Sequence, residues 1–292
     1  MKRCIRCEAL FEGVGWTCPK CGHQPALRDE IYQFTLDPPG AHAGFKPQYF
    51  ERLAEIEESN FWFRARNGLI QWALRHYFPE AKSFFEVGCG TGFVLAGVHQ
   101  KFSRMRLAGS EIFADGLSIA KARLPDAELY QMDARCIPFE REFDVVGTFD
   151  VLEHVVEDEK ALAQMFSAAR PGGGLLVTVP QHRFLWSASD QFAMHQRRYT
   201  RAELRQKVEN AGFEIQRMTS FNSLLLPLMI CSRMQRKGDQ DVNPWREFEI
   251  SSALNRTLES ILKFERTIIR AGASFPVGGS LLLVGRKPLS AP

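Results

Sequence analysis

Four cysteines open the chain in two C-x-x-C pairs, Cys4 with Cys7 and Cys18 with Cys21, separated by ten residues. Each pair puts two thiolates on one tight turn, and Gly22 lets backbone amides approach the sulfurs. Two such turns complete the tetrahedron of a structural zinc site, and this pattern predicts a small zinc ribbon. A second group follows a hydrophobic strand: EVGCGTG carries Glu86 and then Gly88, Gly90 and Gly92 at alternate positions before a helix. Such glycines let a ligand lie against the backbone at a helix N-terminus, at the carboxyl edge of a sheet. The pattern departs from the G-x-G-x-x-G of dinucleotide sites. Glu111 ends the next strand 19 residues after Gly92, where an acid suits the two hydroxyls of a ribose. Asp133 ends the third strand, where it can accept from an adenine amino group.

Two further groups bear on proton and ion chemistry. Asp150, Glu153 and His154 stand at i, i+3 and i+4, so they can share one helical face. They are either ligands for an ion, or a helix cap (Asp150) followed by two residues that organise a loop. The stretch LWSASDQFAMHQRRYT crowds Asp190, His195, Arg197, Arg198 and Tyr199 into a segment with neither helical nor strand periodicity. An imidazole at His195 can take a proton from a substrate hydroxyl. Arg197 and Arg198 can grip a phosphate or carboxylate by paired hydrogen bonds. The same residues also read as a rigid loop in which Asp190 pairs with an arginine and Tyr199 packs. Thr200 and Glu203 form a capping box that starts the following helix.

The elements that must position these groups alternate from about residue 83: strand-like SFFEV, RMRLAGSE, AELYQMD, FDVVGTFD and GGLLVTVP, with helical patterns after most of them. This alternation predicts a doubly wound α/β fold with helices on both faces of a largely parallel sheet. The expected organisation is a zinc ribbon over 1–27, a Pro/Gly-rich linker over 28–47 and an N-terminal helical cap over 48–80. The core follows over 81–221, then a helical insertion over 222–276 and a final strand within 277–288. ALNRTLESILKFERTIIRAG in the insertion has the spacing of an amphipathic helix.

Composition bounds the partners. The chain has 292 residues, 45% hydrophobic and 24% charged, which excludes disordered and collagen-like classes. Its net charge of +3 is mild, and a zinc ion on four thiolates lowers it to about +1. Nucleic acid is therefore not demanded as a partner. The odd cysteine count and the C-x-x-C pairs favour metal binding in a reducing compartment. MKRCIRCEAL lacks the apolar core of a signal peptide, so a cytoplasmic protein is the expectation. LLLPLMIC is too short to span a bilayer, although it offers apolar surface beside basic residues for peripheral membrane contact.

Over about residues 83–221 and the last strand, the chain resembles the class I S-adenosylmethionine-dependent methyltransferases. The residues that carry the resemblance are EVGCGTG, Glu111, Asp133, FDVVGTFDVLEHV and RPGGGLLVTVP. It implies a Rossmann-like sheet with an antiparallel seventh strand and an insertion between strands 6 and 7. It also implies S-adenosylmethionine as cofactor. Carried onto this chain, Glu86 and the loop Gly88, Cys89 and Gly90 would hold the methionine part, Glu111 the ribose, and Met132 and Asp133 the adenine. Gly92, Ile112 and Phe149 complete the implied cofactor contacts. Arg66 in FWFRARN would reach the methionine carboxylate, with Arg64 competing for the role.

DVLEH resembles the E-x-x-E-H segment of the ubiquinone-pathway O-methyltransferases, which implies a possible magnesium site at Asp150, Glu153 and His154, with Asp150 in place of the first glutamate. HQRRY, FWFRARN and LWS-x-x-D resemble bacterial methyltransferases of polysaccharide, lipid and natural-product pathways. His195 and His154 then become candidate catalytic residues, and Arg197, Arg198 and Tyr199 candidate substrate holders. The leading expectation is O-methylation of a small-molecule, glycan or lipid-linked acceptor, with a structural zinc ribbon. The alternatives are an rRNA or tRNA methyltransferase that uses the ribbon for RNA contact, and a non-catalytic cofactor-binding docking protein.

Overall fold

A computed structural model describes residues 1–34, 49–235, 245 and 248–289. The ribbon contributes two short hairpins, β1 (Lys2–Arg3) with β2 (Leu10–Phe11), and β3 (Ala26–Arg28) with β4 (Ile31–Gln33). Helices α1 (Tyr49–Glu57) and α2 (Phe61–Tyr77) follow. The core then runs β5 (Ser83–Val87), α3 (Phe93–Lys101), β6 (Arg106–Glu111), α4 (Ala114–Arg123), β7 (Glu128–Gln131), β8 (Phe143–Phe149), α5 (Asp158–Ala168) and β9 (Ala169–Pro180). It closes with α6 (Ala188–Phe192), α7 (Arg201–Asn210), β10 (Glu214–Phe221), α8 (Leu226–Gln235), α9 (Ser252–Arg270) and β11 (Ser280–Arg286).

The sheet order is β10-β11-β9-β8-β5-β6-β7-β4-β3. β5 to β9 are parallel, and β11 runs antiparallel between β9 and β10, as expected for the final strand. Strand side chains alternate between faces, so neighbouring residues feed two cores. Phe84, Val145, Leu176 and Leu282 pack with α2, α3 and α4. Phe85, Val146, Val177 and Leu281 pack with α5 and α7. Most of these strand residues are fully buried, which is why their sequence reads as near-continuous apolar runs.

The ribbon is joined to this domain without the break anticipated at residue 28. β4 adds to the sheet parallel to β7, pairing Tyr32 with Tyr130 and Gln33 with Gln131. The expected linker over 28–47 therefore begins inside a sheet strand, and its remainder from residue 35 lies outside the described residues. Trp16, 6% exposed, meets Phe34, Tyr130 and Phe139 edge-on, with ring centroids 4.6, 5.9 and 5.5 Å away. Parallel strands are usually joined by a helix that covers the sheet. Residues 132–142, between β7 and β8, contain no helix, and Cys4, Phe11, Trp16 and Cys18 of the ribbon pack into the core on that face.

One further expectation is corrected. FDVLEHV does not run straight into a helix. Asp150 adopts a left-handed φ of 57°, Leu152–His154 form a single 3₁₀ turn, and α5 begins only at Asp158. The helical insertion packs on the domain: α9 lays Leu258, Leu262 and Ile269 inward and packs along α2. The two helices form one cover over the side of the sheet that carries the glycine loop.

Candidate active site

The glycine loop between β5 and α3 is held by backbone bonds: the amides of Gly88 and Cys89 both donate to the Ser110 carbonyl, at 2.8 Å each. Gly88 needs its φ of 75° and its missing side chain, because a Cβ there would lie 2.4 Å from Val151. Cys89 is buried with its sulfur near Gly109 and Leu95, so what it offers a ligand is its backbone.

Glu86, 2% exposed, lies beneath this loop, and its Oε2 has no hydrogen-bond partner among the described residues. Burial pushes its carboxyl well up, and the Arg66 guanidinium opposes that shift. Arg66 comes from α2, lies 4.6 Å from the centre of the Trp62 ring and pairs with Asp150. A buried acid short of a partner and a nearby guanidinium can together receive the amino and carboxylate groups of an amino acid. Arg64, the expected competitor, pairs instead with Glu259 on α9.

Glu111 ends β6 with its carboxylate turned back to the main chain. It accepts from Ile112 and Phe113 amides at 2.8 and 3.2 Å and from the Gly90 amide at 3.2 Å. Asp133 is engaged by Arg135 through Nη2 at 2.6 Å and the backbone amide at 2.8 Å. Although burial opposes it, this engagement holds the Asp133 carboxyl below its ordinary range. Met132 and Phe149 are core residues, and Phe149 stacks on Phe84.

Sequence reasoning missed what covers the loop. Glu57, the last residue of α1, accepts from the Thr91 hydroxyl at 2.6 Å and pairs with Arg123 of α4 at 2.6 Å. Phe50, also on α1, faces Gly90 and Gly116. Thr91 in the loop motif was a usable signal, whereas nothing in the spacing of Glu57 and Arg123 links them.

Beyond β9 the chain bends over the same edge. Asp190, 1% exposed, accepts from His195 Nδ1 at 2.9 Å and from Arg198 Nε and Nη2 at 2.7 and 3.1 Å. The Ser187 amide and hydroxyl also donate to it, at 2.8 and 2.9 Å. Against the opposing effect of burial, these donors hold Asp190 well below the carboxylate range. With Nδ1 bound to an ionised acid, the proton of a neutral His195 sits on Nδ1 and Nε2 keeps its lone pair. His195 Nε2 lies 4.0 Å from Glu153 Oε1, and the His154 ring stands edge-on at 4.7 Å. Glu153 is fully buried without a hydrogen-bond partner for either carboxyl oxygen among the described residues, and burial and then Asp150 push its carboxyl up.

The expected substrate holders are engaged within the protein, and two of them, Arg198 and Tyr199, are buried. Arg198 also donates to the Gln181 carbonyl at 3.2 Å and is buried. Tyr199 is buried with its hydroxyl 2.7 Å from Asp158. Arg197 pairs with Asp158 at 2.8 Å and donates to the Val156 carbonyl. All three brace the loop, and for Arg198 and Tyr199 the polar group would otherwise be left in the interior unpaired.

Two clusters have the donor types of metal sites. The Sγ atoms of Cys4 and Cys21, and of Cys7 and Cys18, are each 3.6 Å apart, and all four lie within 4.8 Å of one another. Zn–S bonds of about 2.3 Å set tetrahedral sulfurs roughly 3.8 Å apart, so the set fits zinc. The second cluster is Glu153, His154 and His195. Asp150 is absent from it, since the backbone turn at Asp150 directs its carboxylate to Arg66 and the Thr178 hydroxyl. The magnesium set expected from sequence is thus not assembled, and two nitrogens with one oxygen do not make the all-oxygen environment that magnesium prefers.

Comparison with known proteins accords with this geometry. A family model described as a methyltransferase domain matches residues 60–217. A probable S-adenosylmethionine-dependent methyltransferase of Mycolicibacterium smegmatis is 29% identical over 188 residues, covering 62% of this chain and 70% of that protein. The dTDP-3-amino-3,4,6-trideoxy-alpha-D-glucopyranose N,N-dimethyltransferase of Streptomyces venezuelae is 37% identical over 103 residues, or 34% of this chain and 43% of its own. The S-adenosylmethionine complex of Haemonchus contortus phosphoethanolamine N-methyltransferase 2 shares the fold, with a TM-score of 0.50 at 18% identity, over 75% of this chain and 52% of that one. The chain thus spans about half the length, or less, of the last two. It belongs to the methyltransferase-domain family and is an S-adenosylmethionine-dependent methyltransferase.

Proposed function

We propose that the enzyme methylates a hydroxyl oxygen of a small-molecule, glycan or lipid-linked acceptor, with His195 as the general base. The observation that carries this reading is the Asp190–His195 pair, in which a buried, ionised carboxylate fixes the imidazole with Nε2 free to accept a proton. The cofactor supplies an electrophilic methyl group on a sulfonium with a good leaving group, so the protein's task is alignment and proton removal. Arg66 and Glu86 hold the amino-acid end, the loop Gly88–Gly92 gives backbone contact, and Glu111, Ile112, Met132 and Asp133 line the nucleoside end. For Glu111 and Asp133 this requires exchange of the present backbone and Arg135 contacts. The four ribbon cysteines hold a structural zinc ion.

Two readings lose ground. An RNA reading needs Arg197 and Arg198 at phosphates, but they are paired with Asp158 and Asp190. The non-catalytic reading conflicts with membership of the family. For peripheral membrane contact the insertion offers, among the described residues, exposed Leu224, Leu228, Leu254 and Phe264. No helix among the described residues is long and apolar enough to cross a membrane. An amino acceptor on a nucleotide-linked sugar is a second reading, favoured by the Streptomyces venezuelae relative.

The test is incubation of methyl-labelled cofactor with panels of hydroxylated and aminated sugars and lipid-linked glycans. Once a product is identified, His195→Ala should lower kcat by about 10²–10⁴-fold while S-adenosylhomocysteine binds as tightly as before. Full activity in that variant removes His195 as base, and label found only on nitrogen replaces the hydroxyl reading with the amino one.

A further inference from the structure

The ribbon reaches the cofactor site through one hydrogen-bonded line. Gln33, the last residue of β4, sits in register with Gln131 of β7, which sits in register with Glu111 of β6. Gln33 Nε2 donates to Gln131 Oε1 at 2.7 Å, and Gln131 Nε2 donates to the Ile112 carbonyl at 3.0 Å. The direction is forced: the Ile112 carbonyl only accepts, so Gln131 must turn its nitrogen there and present its oxygen to Gln33. The Phe34 amide adds a bond to the Gln131 carbonyl at 2.7 Å, and the Met132 amide donates to the Glu111 carbonyl at 3.1 Å. The two turns assigned to the nucleoside, after β6 and after β7, are thereby clamped from the ribbon side. Trp16 fixes β4 in turn, packed against Phe34 and Tyr130. Lys121 of α4 pairs with Glu30 at the tip of the same hairpin, 3.1 Å apart.

We propose that Gln33 is a positioning residue for the cofactor: through Gln131 it holds the Ile112 and Met132 turns in their binding geometry, so that the ribbon sets cofactor affinity rather than turnover. The inference rests on the placement of the nucleoside over those turns. A side chain that pre-shapes a site lowers the cost of binding without touching the reacting atoms. Gln33 is remote from His195 in the fold, at the opposite end of the sheet from the loop after β9.

The experiment is calorimetric titration of the full, metal-loaded chain with S-adenosylhomocysteine, alongside steady-state kinetics on an identified acceptor. Gln33→Ala should weaken binding by roughly three- to tenfold, the loss of one hydrogen bond. It should raise the cofactor KM by the same factor and leave kcat at saturation unchanged. Its backbone pairing with β7 does not use the side chain, so the fold should survive, as a thermal melt will show. Gln131→Ala should weaken binding at least as much, and the double variant should match Gln131→Ala alone. Wild-type affinity in Gln33→Ala overturns the proposal, as does a fall in kcat at unchanged affinity. Full additivity in the double variant overturns the route through Gln131. Glu111→Ala tests the underlying placement separately: unchanged affinity there sinks the nucleoside assignment, while the Gln33 result still decides whether the ribbon controls binding.

Discussion

Asp190 decides more at the residue scale than either arginine beside it. Sequence spacing left the arginines open between anion holders and braces, and the structure turns Arg198 onto Asp190 and Arg197 onto Asp158. Replacing Arg198 with Met takes the guanidinium from buried Asp190 while its Ser187 and His195 bonds remain, so we expect a loss of about 1.5–3 kcal/mol of stability in denaturant unfolding. A normal unfolding curve with a raised acceptor KM would instead return Arg198 to the substrate. His154 carries a pH dependence. Burial, and then the neighbouring His195, lowers its pKa from 6.5 to about 3. The unfolded chain therefore binds a proton that the folded one refuses, and this contribution to stability is full above pH 6.5 and drains away as pH falls toward 3. Melting temperature measured across that window should fall with acidity, and less steeply in His154→Asn. The contrast between Asp150 and Glu153 shows what spacing cannot reveal: an i, i+3 pattern presupposes a helix, and the left-handed φ at Asp150 turns its carboxylate to Arg66 while Glu153 lies beside His154 and His195.

The elements divide into those with a repeating pattern and those fixed by a single contact. Strands β5 to β9 and helix α9 were legible because burial imposes a period on sequence. Helix α1 lay within the cap expected over 48–80, but its seat on the glycine loop was not legible, because it depends on Glu57 meeting Thr91 and Arg123 across long stretches of chain. Glu57→Ala should free the end of α1 and expose the glycine loop, read as faster hydrogen exchange at the Thr91 and Gly92 amides. Wild-type exchange there would mean that α1 is held by Phe50 and its neighbours alone. On α9, Leu262 is buried in a small cluster with Leu258 and Leu225. Leu262→Ala should cost about 2–4 kcal/mol, and a cost within a few tenths of zero in denaturant unfolding would show that the cover folds independently of the sheet.

At the scale of the whole molecule the ribbon is a structural layer of the enzyme. It fills the face left bare by the helix-free crossover of residues 132–142 and extends the sheet by two strands. Removal of the zinc proposed at the four cysteines should therefore lower the melting temperature of the whole chain in one transition, because the ribbon and the sheet share one core. Two separate transitions would mean an independent module. The sequence by itself determined the α/β class, the cysteine tetrad and the glycine loop, since each is a local pattern whose spacing carries its geometry, whereas the antiparallel final strand was implied only by the family resemblance. Tertiary structure alone decided that the ribbon joins the sheet, that Arg198 and Tyr199 face inward, that Asp150 leaves the Glu153–His154–His195 cluster, and that Gln33 meets Gln131. Those outcomes depend on which distant residues burial brings together, and on the cost of leaving a polar group unpaired there.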